Sequence, residues 1–183
     1  MTHDVKLGIG NVLGYFYHAP KNTALPVHPL AELDAAWENV GYVSEEGLAW
    51  HTGRTATPLK DFARQIVRQI QEDGTGTVQV PIISTTAEVL KTIFGADHVT
   101  ETAASADHGK LAGVEVEEGV VSGEEAFLFI MKDDDDAMML GTTGGFITDL
   151  DDINFTPGEP INWPATISSS KWKFLIDDGQ KTA

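Results

Sequence analysis

A mainly β domain, a sandwich or barrel carrying one helix as a flap, is predicted by three features of this sequence. Short runs rich in β-branched and aromatic residues recur from Val40 onward, separated by turn residues at short intervals. Only Thr85 to Phe94 has both the periodicity and the end signals of a helix. At 183 residues the chain suits one domain, without a repeat or low-complexity linker.

The elements follow in order. From Leu7 to His18 an apolar, aromatic stretch is interrupted by Gly8, Gly10 and Gly14, then followed by a loop with Pro20 and Pro26. Glycine weakens strand packing and proline lacks a ladder donor, so residues 1–26 read as an extended N-terminal arm, with the β-rich core at 27–183. Leu30, Leu33 and Trp37 have helical spacing, but Pro29 precedes a short segment that reads as a loose turn or loop. Val40–Val43 and Leu48–His51 flank the turn Ser44-Glu45-Glu46-Gly47 and predict a hairpin. Ile66–Glu72 and Thr77–Ile83, around Asp73-Gly74-Thr75-Gly76, predict another.

For the helix, Thr85 and Glu88 have capping-box spacing, Ala87, Leu90, Ile93 and Phe94 share a face, and Gly95 closes the end. Further strands are expected at Ala112–Val121, Ala126–Lys132, Ala137–Leu140, Phe146–Phe155, Ile161–Ile167 and Lys171–Ile176.

The formal charge of −16 is unevenly spread: residues 1–94 carry −3, residues 95–160 carry −14, and residues 161–183 carry +1. Basic clusters drive nucleic-acid binding, and the middle third offers the opposite field. A wall that repels phosphates suits a conduit for DNA, and an acidic surface also serves solubility. No cysteine is present, which excludes disulfides and thiolate chemistry. No apolar run reaches the ~18 residues of a membrane span. Met1–Lys6 leads into no secretory h-region, so synthesis in a cytoplasm is expected.

Catalytic signatures are missing. Gly8-Ile9-Gly10-Asn11-Val12-Leu13-Gly14 places its third glycine one position late for a dinucleotide loop and has no room for the preceding strand. Val121-Ser122-Gly123 has the wrong neighbours for a nucleophile elbow. The six histidines never approach His-x-x-x-His spacing, and Asp133-Asp134-Asp135-Asp136 lacks the glycine of a calcium loop, its sixth position being Met138. The aspartate run reads as a solvated hairpin tip. No catalytic residue, cofactor or metal is expected, and the chain does not read as an enzyme.

A resemblance enters at Trp37–Gly95. Leu25-Pro26 after the arm, Trp37-Glu38-Asn39-Val40-Gly41-Tyr42-Val43-Ser44-Glu45-Glu46-Gly47, Lys60-Asp61-Phe62, the Asp73–Gly76 turn, Glu88-Val89-Leu90-Lys91-Thr92-Ile93-Phe94-Gly95 and Val99-Thr100 follow in order. Together they resemble the major tail proteins, or tail tube proteins, of long-tailed siphophages. The second half is similar only in its strand-rich texture.

The resemblance implies two packed sheets with one flanking helix at about 85–94, in subunits that form stacked, hexameric rings around a tape measure protein. Inner strands of neighbouring subunits would join into a lumen wall, and loops or arms would touch the next ring. The implied partners are other copies of the chain, the tape measure protein, the tail terminator and the tail-tip or baseplate initiator; DNA would pass without specific binding. The implied location is the virion tail. Inter-subunit contacts are expected at Leu7, Ile9, Val12, Tyr15, Tyr17, Glu45 and Gly47, and lumen-facing acids among Glu115, Glu117, Glu118, Asp133, Asp134, Asp135 and Asp136.

Two other readings are separable. A contractile tail or a related injection or secretion apparatus would use the same subunit fold with a sheath around it. A carbohydrate-binding β-sandwich would cluster exposed aromatics on one face, whereas Trp37, Trp50, Trp163 and Trp172 are spread along the chain.

Overall fold

Burial alternates strictly along Gly76–Ile82: Gly76, Val78, Val80 and Ile82 are buried, while the residues between them are half-buried or exposed. That period of two marks a strand with one face on a core. A computed structural model of the chain describes residues 9–10, 16–72, 74–115, 123–133 and 136–178. It is mainly β, with 49% strand and 7% helix, and sandwich-like in fold.

The strands are β1 (Ile9–Gly10), β2 (Phe16–Pro20), β3 (Glu38–Gly41), β4 (Ala49–His51), β5 (Thr55–Lys60), β6 (Ile66–Glu72), β7 (Gly76–Ile82), β8 (Val99–Thr102), β9 (Leu111–Val114), β10 (Glu125–Asp133), β11 (Asp136–Leu150), β12 (Trp163–Ser169) and β13 (Lys173–Asp177). The helix α1 spans Ala87–Phe94. The main sheet runs β3-β2-β10-β11-β12-β7-β4, with β1 added to β10 and β13 to β11. A bridge between Val43 and Ile82, flanked by Ser44 N–H donating to Pro81 O (2.8 Å) and Ile83 N–H to Tyr42 O (2.9 Å), returns the end of β3 to β7. Six strands therefore close into a barrel-like ring. β5–β6 and β8–β9 form separate two-stranded sheets.

The 15-residue β11 belongs to both halves of this ring. Its first part pairs β10 and β13, and its last part pairs β12. Alternate residues of β10 then feed two cores. Phe127 and Phe129 point inward, where Phe16 stacks on them at centroid distances of 6.2 and 4.7 Å, among Val78, Val80, Ile82, Leu140 and Ile167. Ala126, Leu128 and Ile130 point the other way, with Met139, under Trp37, Leu25 and Leu33 of the loop after β2. Coverage on both faces explains why Ala126–Met131 is an unbroken apolar run rather than an alternating one.

The helix lays Val89, Leu90 and Ile93 on the inner core. Thr86 is its N-cap and accepts from Val89 N–H at 3.3 Å, while Gly95 ends it with φ of +89°. The predicted cap, Thr85, lies one residue earlier and accepts instead from Trp163 Nε1–H at 3.2 Å.

Four expectations need correction. Phe16–Pro20 is a central strand, paired to β10 and β3, rather than part of a peripheral arm; the disfavoured glycines precede it and Pro20 is its last residue. Residues 40–51 make no hairpin. The turn exists, with Gly47 N–H donating to Ser44 O at 3.0 Å, but Val43 and Ala49–His51 all pair with β7, so residues 44–48 loop out from one edge. β6 pairs with β5 and not β7. The sequence reading passed over β5, in which Pro58, lacking a ladder donor, is tolerated because the hairpin has only two strands. Finally, Ala137–Leu140 and the start of Phe146–Phe155 are one strand. Of Ala112–Val121, residues 116–121 lie outside the described residues.

Candidate assembly surfaces

Two features project from the barrel with unsatisfied surface. Beyond the ring, β10 and β11 continue as a hairpin whose flanks are β1, paired through Ile9–Lys132 and Gly10–Met131, and β13, paired through Lys173–Gly141 to Asp177–Ala137. Among the described residues β1 and β13 have a strand partner on one side only. On this four-stranded extension Phe174 and Ile176 are exposed, and Trp50 lies 6.1 Å from Phe174 between ring centroids.

The second feature is the β5–β6 hairpin. Asp61 fixes its turn: its N–H donates to Gln65 O at 2.9 Å and its carboxylate accepts from Gln65 N–H at 2.8 Å, while Arg64 takes a positive φ of 61°. Phe62 stands fully in solvent, and Leu59, Ile66 and Val67 are more than half exposed. Four exposed apolar side chains on one short hairpin make it a candidate interaction surface. Residues 54–72 also carry four basic against two acidic side chains, a positive element in a chain of charge −16.

The residues singled out from sequence fall in several places. Ile9 lies in β1 at the edge of the extension. Tyr17 is half-buried in β2 beside the second core, and burial raises its phenol pKa. Glu45 is exposed and Gly47 occupies an open turn at φ +73°, with nothing within 4 Å of a Cβ there. Leu7, Val12 and Tyr15 lie outside the described residues, as do Glu117, Glu118, Asp134 and Asp135. Glu115 is exposed and follows β9, its N–H donating to His98 O at 3.2 Å, whereas Asp133 and Asp136 face each other at the tip of β10–β11. The described acids thus lie in two places, one just after β9 and two at the β10–β11 tip. Sequence reasoning passed over Leu59, Ile66 and Val67; Phe62 entered only as part of the resemblance.

The tryptophans do not form an aromatic binding face. Trp37 and Trp163 are buried, and Trp172 is half-buried with Nε1–H donating to Gly76 O at 3.0 Å. No described helix is long and apolar enough to cross a membrane. One group of described residues, His18, Glu38 and Glu88, has its donor atoms grouped closely enough to hold a metal ion.

A comparison with curated proteins gave no match. The family model described as "Phage tail tube protein" matches residues 8–171, from before β1 to just past β12. That span takes in the barrel, the helix and the projecting hairpins, and the chain therefore belongs to the phage tail tube protein family, as a structural component of a virion tail.

Proposed function

We propose that this subunit assembles into stacked rings, six copies to a ring, and that the resulting tube conducts phage DNA during ejection. The observation that supports this reading is the four-stranded extension, whose two edges are open among the described residues. Along β1-β10-β11-β13 every pairing is antiparallel. Setting β13 of one subunit beside β1 of the next continues the alternation, so a head-to-tail ring can close without a mismatched strand. Four strands from each of six copies give a barrel of about 24 strands. At ~4.8 Å per strand and a tilt near 40°, its backbone diameter is roughly 48 Å, wide enough for a double helix. Closure also removes the sheet edges that make an isolated extension prone to aggregation.

Stacking needs a second contact, and the β5–β6 hairpin supplies apolar side chains and the opposite charge to the acidic body of another copy. Charge complementarity of this kind sets register and speeds encounter. In this reading the aspartate run, whose described ends Asp133 and Asp136 pair at the tip of the extension, faces the channel and limits phosphate binding. The tape measure protein would fill the lumen before ejection, with the tail terminator and tail-tip initiator at the two ends, after synthesis in the host cytoplasm. The subunit has no catalytic task in this reading.

The test is negative-stain electron microscopy and light scattering on the purified protein over a concentration series, repeated with tail-tip complex from the same phage as nucleus. Hollow tubes or six-membered rings are expected. A particle of 19.7 kDa that stays monomeric in both settings would overturn the proposal.

A further inference from the structure

The geometry points to a divalent transition-metal site, zinc-like in chemistry, formed by His18, Glu38 and Glu88 and oriented by Glu125. His18 lies on β2 directly opposite Glu38 on β3, Glu125 opens β10 on the other side of β2, and Glu88 reaches in from the first turn of α1. One donor atom from each of His18, Glu38 and Glu88 falls within 4.8 Å of the others.

The hydrogen bonding of His18 makes this more than a cluster of acids. Its Nδ1 lies 3.0 Å from Glu125 Oε2, a contact that places the ring proton on Nδ1. The other ring nitrogen, Nε2, is buried and has no hydrogen-bond partner among the described residues. It faces the Glu38 carboxylate at 3.8 Å, too long for a hydrogen bond. An imidazole nitrogen and a carboxylate facing each other across that gap leave room for a metal ion between them. A metal-binding imidazole whose other nitrogen is held by a carboxylate is the usual means of fixing tautomer and ring angle.

The surroundings fit a dication. The cleft, about 550 Å³, is lined by Glu38, Glu88, Glu124 and Glu125 against Lys21 and Lys91, so four carboxylates stand against two ammonium groups. Lys21 is paired with Glu124, and Lys91 takes one oxygen of Glu88 at 3.1 Å, leaving the other available. Ligands around a tetrahedral zinc ion lie ~3.4 Å apart at ordinary bond lengths, so closure requires the Glu38 side chain, 62% exposed, to swing inward by about an ångström. An imidazole donor and only three protein ligands favour zinc-like ions over calcium or magnesium, which require more oxygens. A bound ion would pin α1 to the barrel wall at β2 and β3. The ligands are separated by 20 and 50 positions in sequence, which is why no spacing motif announces them.

This inference is independent of tube assembly. Chelator-treated full-length protein is titrated with Zn²⁺ by calorimetry, and in parallel with Mg²⁺, while the melting temperature is followed. One Zn²⁺ per chain with a raised melting temperature is expected, and weaker Mg²⁺ binding by tenfold or more. His18→Gln should lose at least tenfold in Zn²⁺ affinity, and the exposed His108→Gln should leave it unchanged. Glu38→Gln, at an exposed position, should match the loss in His18→Gln and guards against a folding defect in the latter. Absence of Zn²⁺ binding, or equal binding by wild type, His18→Gln and Glu38→Gln, an adventitious ion only, would overturn the assignment.

Discussion

Replacing Phe62 with serine separates folding from assembly. The side chain is fully exposed at the tip of the β5–β6 hairpin, so its removal takes nothing from the packed core. Subunit stability should change by less than about 0.5 kcal/mol, as for surface substitutions in general. If the hairpin docks on another copy, the same ring is buried in the tube, and burying a phenylalanine contributes about 2 kcal/mol. Since ~1.4 kcal/mol is a factor of ten, each such contact should weaken by roughly 30-fold. The critical concentration for tube formation should rise by about that factor, read from pelleting and electron microscopy, while the thermal melt of the free subunit overlays wild type. Because residues 54–72 are net positive, added salt should weaken assembly of both proteins in parallel. A Phe62→Ser protein that forms tubes at the wild-type concentration would refute the docking role of the hairpin.

Two other changes probe the fold. Phe129→Ala removes a fully buried ring stacked 4.7 Å from Phe16 and should cost about 3–5 kcal/mol, measured by urea unfolding; a loss below about 1 kcal/mol would mean that this is not the centre of the core. Glu101, held by hydrogen bonds from Lys110 and then Lys91, has its pKa lowered from 4.5 to about 2. A depressed carboxylate pKa stabilises the fold above the unfolded value and is lost as pH falls, so the contribution should fade between pH 4.5 and about 2. Melting temperatures of wild type and Glu101→Gln should differ at pH 6 and converge near pH 2; a constant gap would rule the linkage out.

Local signals were legible and pairings were not. Thr85, one place before the observed cap Thr86, the apolar face of α1 and Gly95 mark the helix to within two residues, because caps act through neighbours in sequence. The unbroken apolar run of β10 marks a buried strand. Which strand it joins depends on contacts between distant residues. The Ser44–Gly47 turn illustrates the limit: its residues favour a tight turn, and the turn forms, but the edge of β7 captures both flanks and no hairpin results. Likewise the Gly74–Gly76 region gave no sign that β6 would turn away from β7. The family could be read from the ordered pieces between Trp37 and Gly95, whereas the His18 cluster exists only after β2, β3, β10 and α1 have come together.

The central position of β2 has a consequence for how the protein is made. His18 meets Glu125 across a sequence separation of 107 residues. Closing so long a loop costs roughly 4 kcal/mol of chain entropy before any packing offsets it. On the ribosome, β2 and β3 emerge first and wait, unable to enter the barrel until β10 has been synthesised. Until then the inner faces of Phe16 and Val40 have no core to enter. Barrel closure is therefore a late, non-local step, and folding should be slow for a chain of this size. A newly made subunit consequently passes through an interval in which its main sheet lacks a strand, and only after that interval does it present the finished edges from which a ring can be built.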